Sequence, residues 1–272
     1  MKEIDFSKNK LEPEYSDKKE VKKQIEKRKK AIYYEEHIKQ GIKTLSLMFE
    51  QDGLSKVDSE RVIIYEKAIM RGKCIMDCMV VDTQGTVIGL EIKTEHDSTQ
   101  RLKKQLDMYS LVCKYVYVVC HDNFIDKVEK ILKRYHYDHV GIISYIDFNN
   151  QPTFGKYRKA TQSPKRSAYH TLDVLWKSEL VDIYGGMRNP YKYYENGKRQ
   201  ITKNHDYNSL RGGHNTNKTR KPQLIANMRK MFGDLVCYEL FGKSFVYGVT
   251  NSEKIFEQHY FTPIRNQVND NE

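Results

Sequence analysis

At 272 residues the chain can form one large domain or two small ones. Its residues are 39% hydrophobic and 31% charged, which allows a core of modest size, and 47 Lys and Arg against 36 Asp and Glu leave a formal net charge of +11. Such an excess favours a polyanionic partner, nucleic acid or an acidic membrane surface. No apolar run reaches the roughly 18 residues that span a bilayer, and the first residues, MKEIDFSKNK, lack the apolar stretch of a signal peptide. A membrane span and secretion are therefore not expected.

Residues 1–16 are polar. Residues 17–40 read as a charged helix with a sparse apolar set, Val21, Ile25, Ile32 and Ile38. Its basic run is either a solvated face or a nucleic-acid contact. From residue 60 the pattern strengthens. ERVIIYEKAI is a first strand or a passage from helix to strand, and CIMDCMVVD and TVIGLEIKT pair across Thr83, Gln84 and Gly85. Leu102, Leu106, Tyr109 and Cys113 fall at helical spacing behind a cap at Asp97 or Ser98. Residues 115–120 (YVYVVC) read as a strand covered on both faces. Ile125, Val128, Leu132 and Tyr135 mark a second helix, and Val140 to Phe148 a closing strand. This order predicts an α/β fold with a mixed sheet.

Residues 149–168 are polar, basic and proline-containing, and read as a linker. TLDVLWKSELVDIYG then reads as one amphipathic helix with Leu172, Leu175, Trp176, Leu180 and Ile183 inward, stopping near Gly185 and Gly186. Tyr191, Tyr193, Tyr194 and Tyr207 lie among Arg188, Lys192, Lys198, Arg199, Arg211, Lys218 and Arg220. Aromatics stack on unpaired bases while cations follow phosphates, so this stretch is either a nucleic-acid contact or a surface loop. KPQLIANMRKMFG starts a helix with proline at an early position. The five cysteines, Cys74, Cys78, Cys113, Cys120 and Cys237, contain no CxxC pair and read as reduced residues of a cytoplasmic protein. His136 and His139, three apart, sit at a helix-to-strand junction and read as a loop. Gly212 to Thr219 lacks the second glycine of a phosphate loop.

The chemistry concentrates at Asp77 and Glu91-Ile92-Lys93. Side chains alternate along a strand, so Glu91 and Lys93 share one face while Ile88, Leu90 and Ile92 take the other. Two carboxylates and an ammonium on one face are costly to bury without a purpose. They suit a divalent cation, which takes hard oxygen ligands and often only one or two carboxylates. Asp77 and Glu91 are the candidate ligands, the Ile92 carbonyl a further one, and Lys93 a candidate to orient a nucleophile or stabilise a transition state.

The run MDCMVV…GLEIKTE…RLKKQLDMYS…YVYVV resembles the PD-(D/E)XK nuclease superfamily, closest to a branch of small bacterial and phage proteins. In that branch a strand acid, an EIK strand, a DS-x-x-RL-x-x-Q-x-x-x-Y helix and an L-W-K-x-E-L helix follow in order. All are present here, over roughly residues 60–250. One departure is Met76, where the superfamily name implies proline. The resemblance implies a restriction-endonuclease-like core and Mg2+-dependent hydrolysis of DNA, with Mn2+ as a substitute and RNA open as a second substrate. It implies Gln105 as a catalytic-site residue and an upstream glutamate, Glu66 before Glu60. Arg101 and Tyr109 share the Gln105 helix face. Together with Lys156, Arg158, Lys165, Arg166, Arg188, Arg211, Lys218 and Arg220 they are the expected nucleic-acid contacts. The implied division is a basic helical extension at 1–55, the core at 56–148, the linker at 149–168 and a helical and loop unit at 169–272. The setting is the cytoplasm of a bacterial cell or phage-infected host, and a homodimer stays open.

Overall fold

The computed structural model describes residues 35–42, 45–57, 60–94, 97–149, 151–188 and 219–248. In chain order these form α1 (Glu35–Ile42), α2 (Ser46–Glu50), β1 (Arg61–Ile69), β2 (Cys74–Asp82) and β3 (Val87–Lys93). There follow α3 (Leu102–Val112), β4 (Tyr115–His121), α4 (Ile125–Arg134), β5 (Gly141–Phe148) and β6 (Gln151–Arg158). The last are α5 (Ala168–Leu172), α6 (Lys177–Arg188) and α7 (Lys221–Tyr247), the last kinked at Gly233. The expected helix within 17–40 is described only at its end, in α1.

One six-stranded sheet runs in sequence order from β1 to β6. β1–β2, β2–β3 and β5–β6 are antiparallel, while β3–β4 and β4–β5 are parallel. The parallel pairs are those joined through a helix, α3 and α4, as crossover connections require. The sheet is therefore mixed and flanked by helices on both faces, as the order of elements predicts. On one face Val87, Val116, Val118 and Ile142 pack against α3, α4, α5 and α7 through Leu106, Leu132, Leu172 and Phe241. On the other, Cys78, Val80, Ile88, Leu90 and Ile92 meet Ile38, Ile42, Leu45, Phe49 and Leu54. The boundary expected at residue 55 thus falls inside one apolar cluster, because α1 and α2 are the second cover of the sheet.

Two further expectations are corrected. Residues 149–168 are not only a linker, since Gln151–Arg158 form the edge strand β6, paired with β5. Its residues alternate exposed and half-buried, and Phe154 is the one large apolar side chain packed inward. Such a strand carries little hydrophobic signal, and Pro152 is tolerated because an edge leaves N–H groups unpaired. The single helix expected over 171–185 is two, because α5 ends at Leu172 and α6 begins at Lys177. The restart resets the helical phase and turns Trp176 outward, 72% exposed.

The β2–β3 turn is held from outside. Asp82 accepts from the backbone N–H groups of Thr86 (2.8 Å), Gln84 (3.0 Å) and Ser55 (3.0 Å). Gly85 (φ +78°) and Gly242 of α7 meet there, and a Cβ on Gly242 would lie 2.0 Å from the Asp82 carbonyl oxygen. Arg166 donates to the Gly85 carbonyl (2.5 Å) and lies 3.8 Å over the Tyr238 ring.

Candidate functional site

The antiparallel ladder between β2 and β3 ends at Cys78 opposite Leu90. Beyond it the strands part, and the next N–H of β3 on that edge, Ile92, donates to Asp77 Oδ2 at 2.8 Å. A residue's N–H and C=O face the same edge of a strand, so the Ile92 carbonyl also turns to the β2 side. Glu91 and Lys93 point to the α3 face, as alternation predicts. Glu91 is fully buried; Lys93 Nζ donates to its Oε1 at 2.5 Å and the Tyr109 hydroxyl to its Oε2 at 2.5 Å. The same hydroxyl accepts from the Asp77 backbone N–H at 3.1 Å. Tyr109 therefore bridges the two acidic strands.

Burial, then the neighbouring Glu91 charge, pushes the Asp77 carboxyl up to about 7. Burial likewise raises Glu91, opposed by Lys93 and Tyr109. The Tyr109 phenol is pushed far up by its burial and then by the two carboxylates.

The strands are distorted here. Met76 joins the apolar cluster under α3 and Cys78 the opposite cluster, although they are two residues apart. Alternation fails at Asp77, which lies on β2 between the pairs Tyr65–Cys78 and Lys67–Met76. The β1 residue between the same pairs is Glu66, with φ +53°, a conformation that strains a side-chain-bearing residue.

Glu66 itself does not reach the acid pair's hydrogen bonds. Its carboxylate bonds Lys39 Nζ at 2.8 Å and its side chain is 66% exposed; that bond holds its pKa below the ordinary value. Glu60 binds Ser55 at 2.8 Å near the Arg61–Asp82 end of the hairpin, away from Asp77. A further acid whose charge is felt at the pair, and which the sequence did not single out, is Glu35 on α1. Its charge raises both Asp77 and Glu91, and it pairs with Lys39 at 2.9 Å. Lys39 thus links Glu35 to Glu66. Ile38 and Ile42 bury the inner face of α1, and that amphipathic spacing is what places Glu35 on the helix in the sequence.

Gln105 lies one turn before Tyr109 on α3, and its buried Oε1 has no hydrogen-bond partner among the described residues. Arg101, exposed, directly precedes α3 and makes no side-chain capping bond there. The Cys74 thiol is pushed up to about 11 by burial and then by Glu91 and Asp77, with Lys104 and Arg101 opposing.

The other expected nucleic-acid contacts divide. Tyr109 is corrected, because its fully buried ring and its hydroxyl serve the acid pair. Lys156 bonds the Met48 carbonyl (2.6 Å) and Asp52 (3.0 Å), so it ties β6 to α2. Arg166 clamps the β2–β3 turn. Arg158 donates to the Asp138 carbonyl (2.9 Å) and Lys165 to Asp107 (3.1 Å), both at the surface. Arg220 is exposed before α7 and Arg188 ends α6. Arg211, Lys218, the tyrosines at 191–207 and most of Gly212 to Thr219 lie outside the described residues. His139 is buried against Ser110, 2.7 Å away, and all five cysteines are buried and unpaired.

A divalent cation is the group the resemblance implies, and the donors fit it. Lys93 offsets only part of the repulsion between the two carboxylates, since Asp77 stays raised, Ile92 offers a carbonyl on the same edge, and Gln105 an unsatisfied oxygen. Among the described residues no group of three or more His, Cys, Asp or Glu converges as a metal-binding cluster. Among the described residues no helix is long and apolar enough to cross a membrane.

Fold and site define an α/β protein whose mixed sheet splits beside a buried Asp–Glu–Lys cluster. The family described as Bacteriophage P4 protein cII matches residues 27–229, and the chain belongs to it. That match takes in Glu35, Asp77, Glu91, Lys93, Gln105 and Tyr109. Protein cII of Enterobacteria phage P4 is 26% identical over 130 residues, 44% of this chain and 48% of that protein. The chain thus matches about half the length of that relative. No solved structure gives a significant match.

Proposed function

We propose that the chain is a Mg2+-dependent nuclease that hydrolyses phosphodiester bonds of DNA on a restriction-endonuclease-like fold, in the cytoplasm of a phage-infected or bacterial cell. The observation that carries this reading is the split between β2 and β3, where Asp77 and Glu91 are desolvated side by side with Lys93 on Glu91. Asp77, Glu91 and the Ile92 carbonyl would hold the cation, and the charge of Glu35 on α1 would add to the field around them. A bound Mg2+, or Mn2+ in its place, would neutralise phosphate charge and acidify a water ligand. Lys93 would hold the attacking water's oxygen or the developing phosphorane charge. Tyr109 fixes the Glu91 carboxylate, and the Gln105 oxygen would accept a hydrogen bond from an ordered water. Exposed Arg101 and Lys104 would meet the phosphate backbone.

The experiment is incubation of the wild type, Asp77→Ala and Lys93→Ala with plasmid, linear and branched DNA and with RNA, in Mg2+ or Mn2+. Cleavage by the wild type alone is expected. A second reading, a non-catalytic DNA-binding protein on the same fold, is favoured by one observation: Lys93 and Tyr109 already take both Glu91 oxygens. In that case no substrate is cut, and the wild type and Asp77→Ala bind DNA alike.

A further inference from the structure

Trp176 is the only tryptophan in the chain. It lies between two leucine-bearing helices at a position where helical spacing places it in the core, yet it is 72% exposed while its neighbour Leu175 is 2% exposed. The orientation is built in. Glu179 Oε2 accepts the Trp176 backbone N–H at 2.6 Å, the reciprocal half of a capping box, which fixes Trp176 as the residue that opens α6. The side chain is thereby presented outward from a fixed backbone.

Cations gather at Asp173 close by in the chain, while Glu179 sets a carboxylate at Trp176 itself. Asp173, three residues earlier and nearly buried, receives Arg71 Nε at 3.4 Å, and its carbonyl accepts Lys221 Nζ at 2.6 Å. Arg71 also donates to the Tyr169 hydroxyl at 3.3 Å, while its side chain stays 57% exposed. Arg220 is exposed directly before α7. Arg71 occupies the turn between β1 and β2, at the end of the sheet where β3 finishes with Glu91 and Lys93. Between that turn and Asp77 lies Ile75, itself exposed. Asp77 is ~13 Å along β2 from the turn, a span of four residues.

An exposed aromatic plane flanked by cations is the arrangement that holds single strands, with bases on the ring and phosphates on the charges. A duplex keeps its base faces stacked inside and cannot use the ring. We propose that Trp176 is a stacking platform for an unpaired base, with Arg71 and Arg220 on the flanking phosphates, so that the surface takes single-stranded nucleic acid and leads it toward Asp77. The direction toward Asp77 rests on the nuclease reading; the stacking does not.

The test uses the full chain carrying Asp77→Asn, so that substrate is not consumed. It is titrated with oligo(dT), oligo(U) and a blunt duplex of equal length, reading tryptophan emission and the anisotropy of the labelled strand. Single strands should quench the emission and the duplex should not, and the two oligomers tell DNA from RNA. Trp176→Ala should weaken single-strand binding roughly five- to a hundredfold, with Trp176→Phe recovering part of it. Single-strand binding without quenching, unchanged affinity in Trp176→Ala, or no single-strand binding at all overturns the proposal. Quenching by a chain whose wild type cuts nothing leaves the platform standing and removes the nuclease. Cleavage without quenching does the reverse.

Discussion

Asp77 and Glu91 repel each other where little water screens them, and that repulsion has a pH signature. The Asp77 carboxyl is raised from an ordinary 3.8 to about 7 by burial and by Glu91. Between those values the native state keeps a proton that the unfolded chain has released, so stability falls as pH rises across the window and levels off above it. In EDTA the melting temperature should therefore drop from pH 4 to pH 7. Asp77→Asn should flatten that slope and stabilise the fold above pH 7 by roughly 2–4 kcal/mol. A slope unchanged in the variant would mean that another group carries it. Tyr109 is the opposite case. Tyr109→Phe keeps the ring in its packing but leaves the Asp77 N–H and one Glu91 oxygen without their partner. The expected cost is about 1–3 kcal/mol in urea unfolding. A neutral Tyr109→Phe would show that the hydroxyl does not bridge the two strands.

At the scale of elements, the break between α5 and α6 separates two neighbouring apolar residues that sequence periodicity treats alike. Leu175→Ala removes a buried side chain and should cost about 2–5 kcal/mol, while Trp176→Ala should leave thermal stability within about 0.5 kcal/mol. Equal losses would restore the single helix. The Gly85–Gly242 contact makes a second case, since a Cβ on Gly242 would collide with the Asp82 backbone rather than a movable side chain. Gly242→Ala should destabilise the chain by about 1–3 kcal/mol through displaced backbone, read by urea unfolding. What was legible in the sequence follows the same physics. β3, β4, α3 and the shared face of Glu91 and Lys93 stand where periodicity puts them, because each buries a regular apolar set, while β2 switches face at Asp77. β6 was not legible, since an edge strand needs no such set. Trp176 was misread because a capping hydrogen bond resets a helix without changing its apolar spacing. That Glu66 bonds Lys39 instead of the acid pair was not legible either, because it depends on a strand residue held at φ +53°.

At the scale of the whole molecule, the sheet has a cover on each face, and the thinner cover comes from the N-terminal part of the chain. Ile38, Ile42, Leu45, Phe49 and Leu54 are each at most 3% exposed and form the lid over Cys78, Val80, Ile88, Leu90 and Ile92. Lys156 and Tyr117 reinforce it through Asp52, at 3.0 and 2.5 Å. α1 also carries Glu35 and Lys39, so the same short helix closes the core and sets charge at the site. Removing residues 1–55 should therefore bare one whole apolar face of the central strands, a burial worth on the order of 1.5–3 kcal/mol for each large side chain. Such a chain should bind a hydrophobic dye and lose cooperative unfolding, whereas Glu35→Gln, which keeps the lid and removes only its charge, should fold normally. In Glu35→Gln the Asp77 carboxyl should titrate lower, because one of the charges raising it is gone. A cooperative, dye-silent chain lacking residues 1–55 would show that the sheet stands without its N-terminal cover, and that Glu35 reaches the acid pair from an appendage.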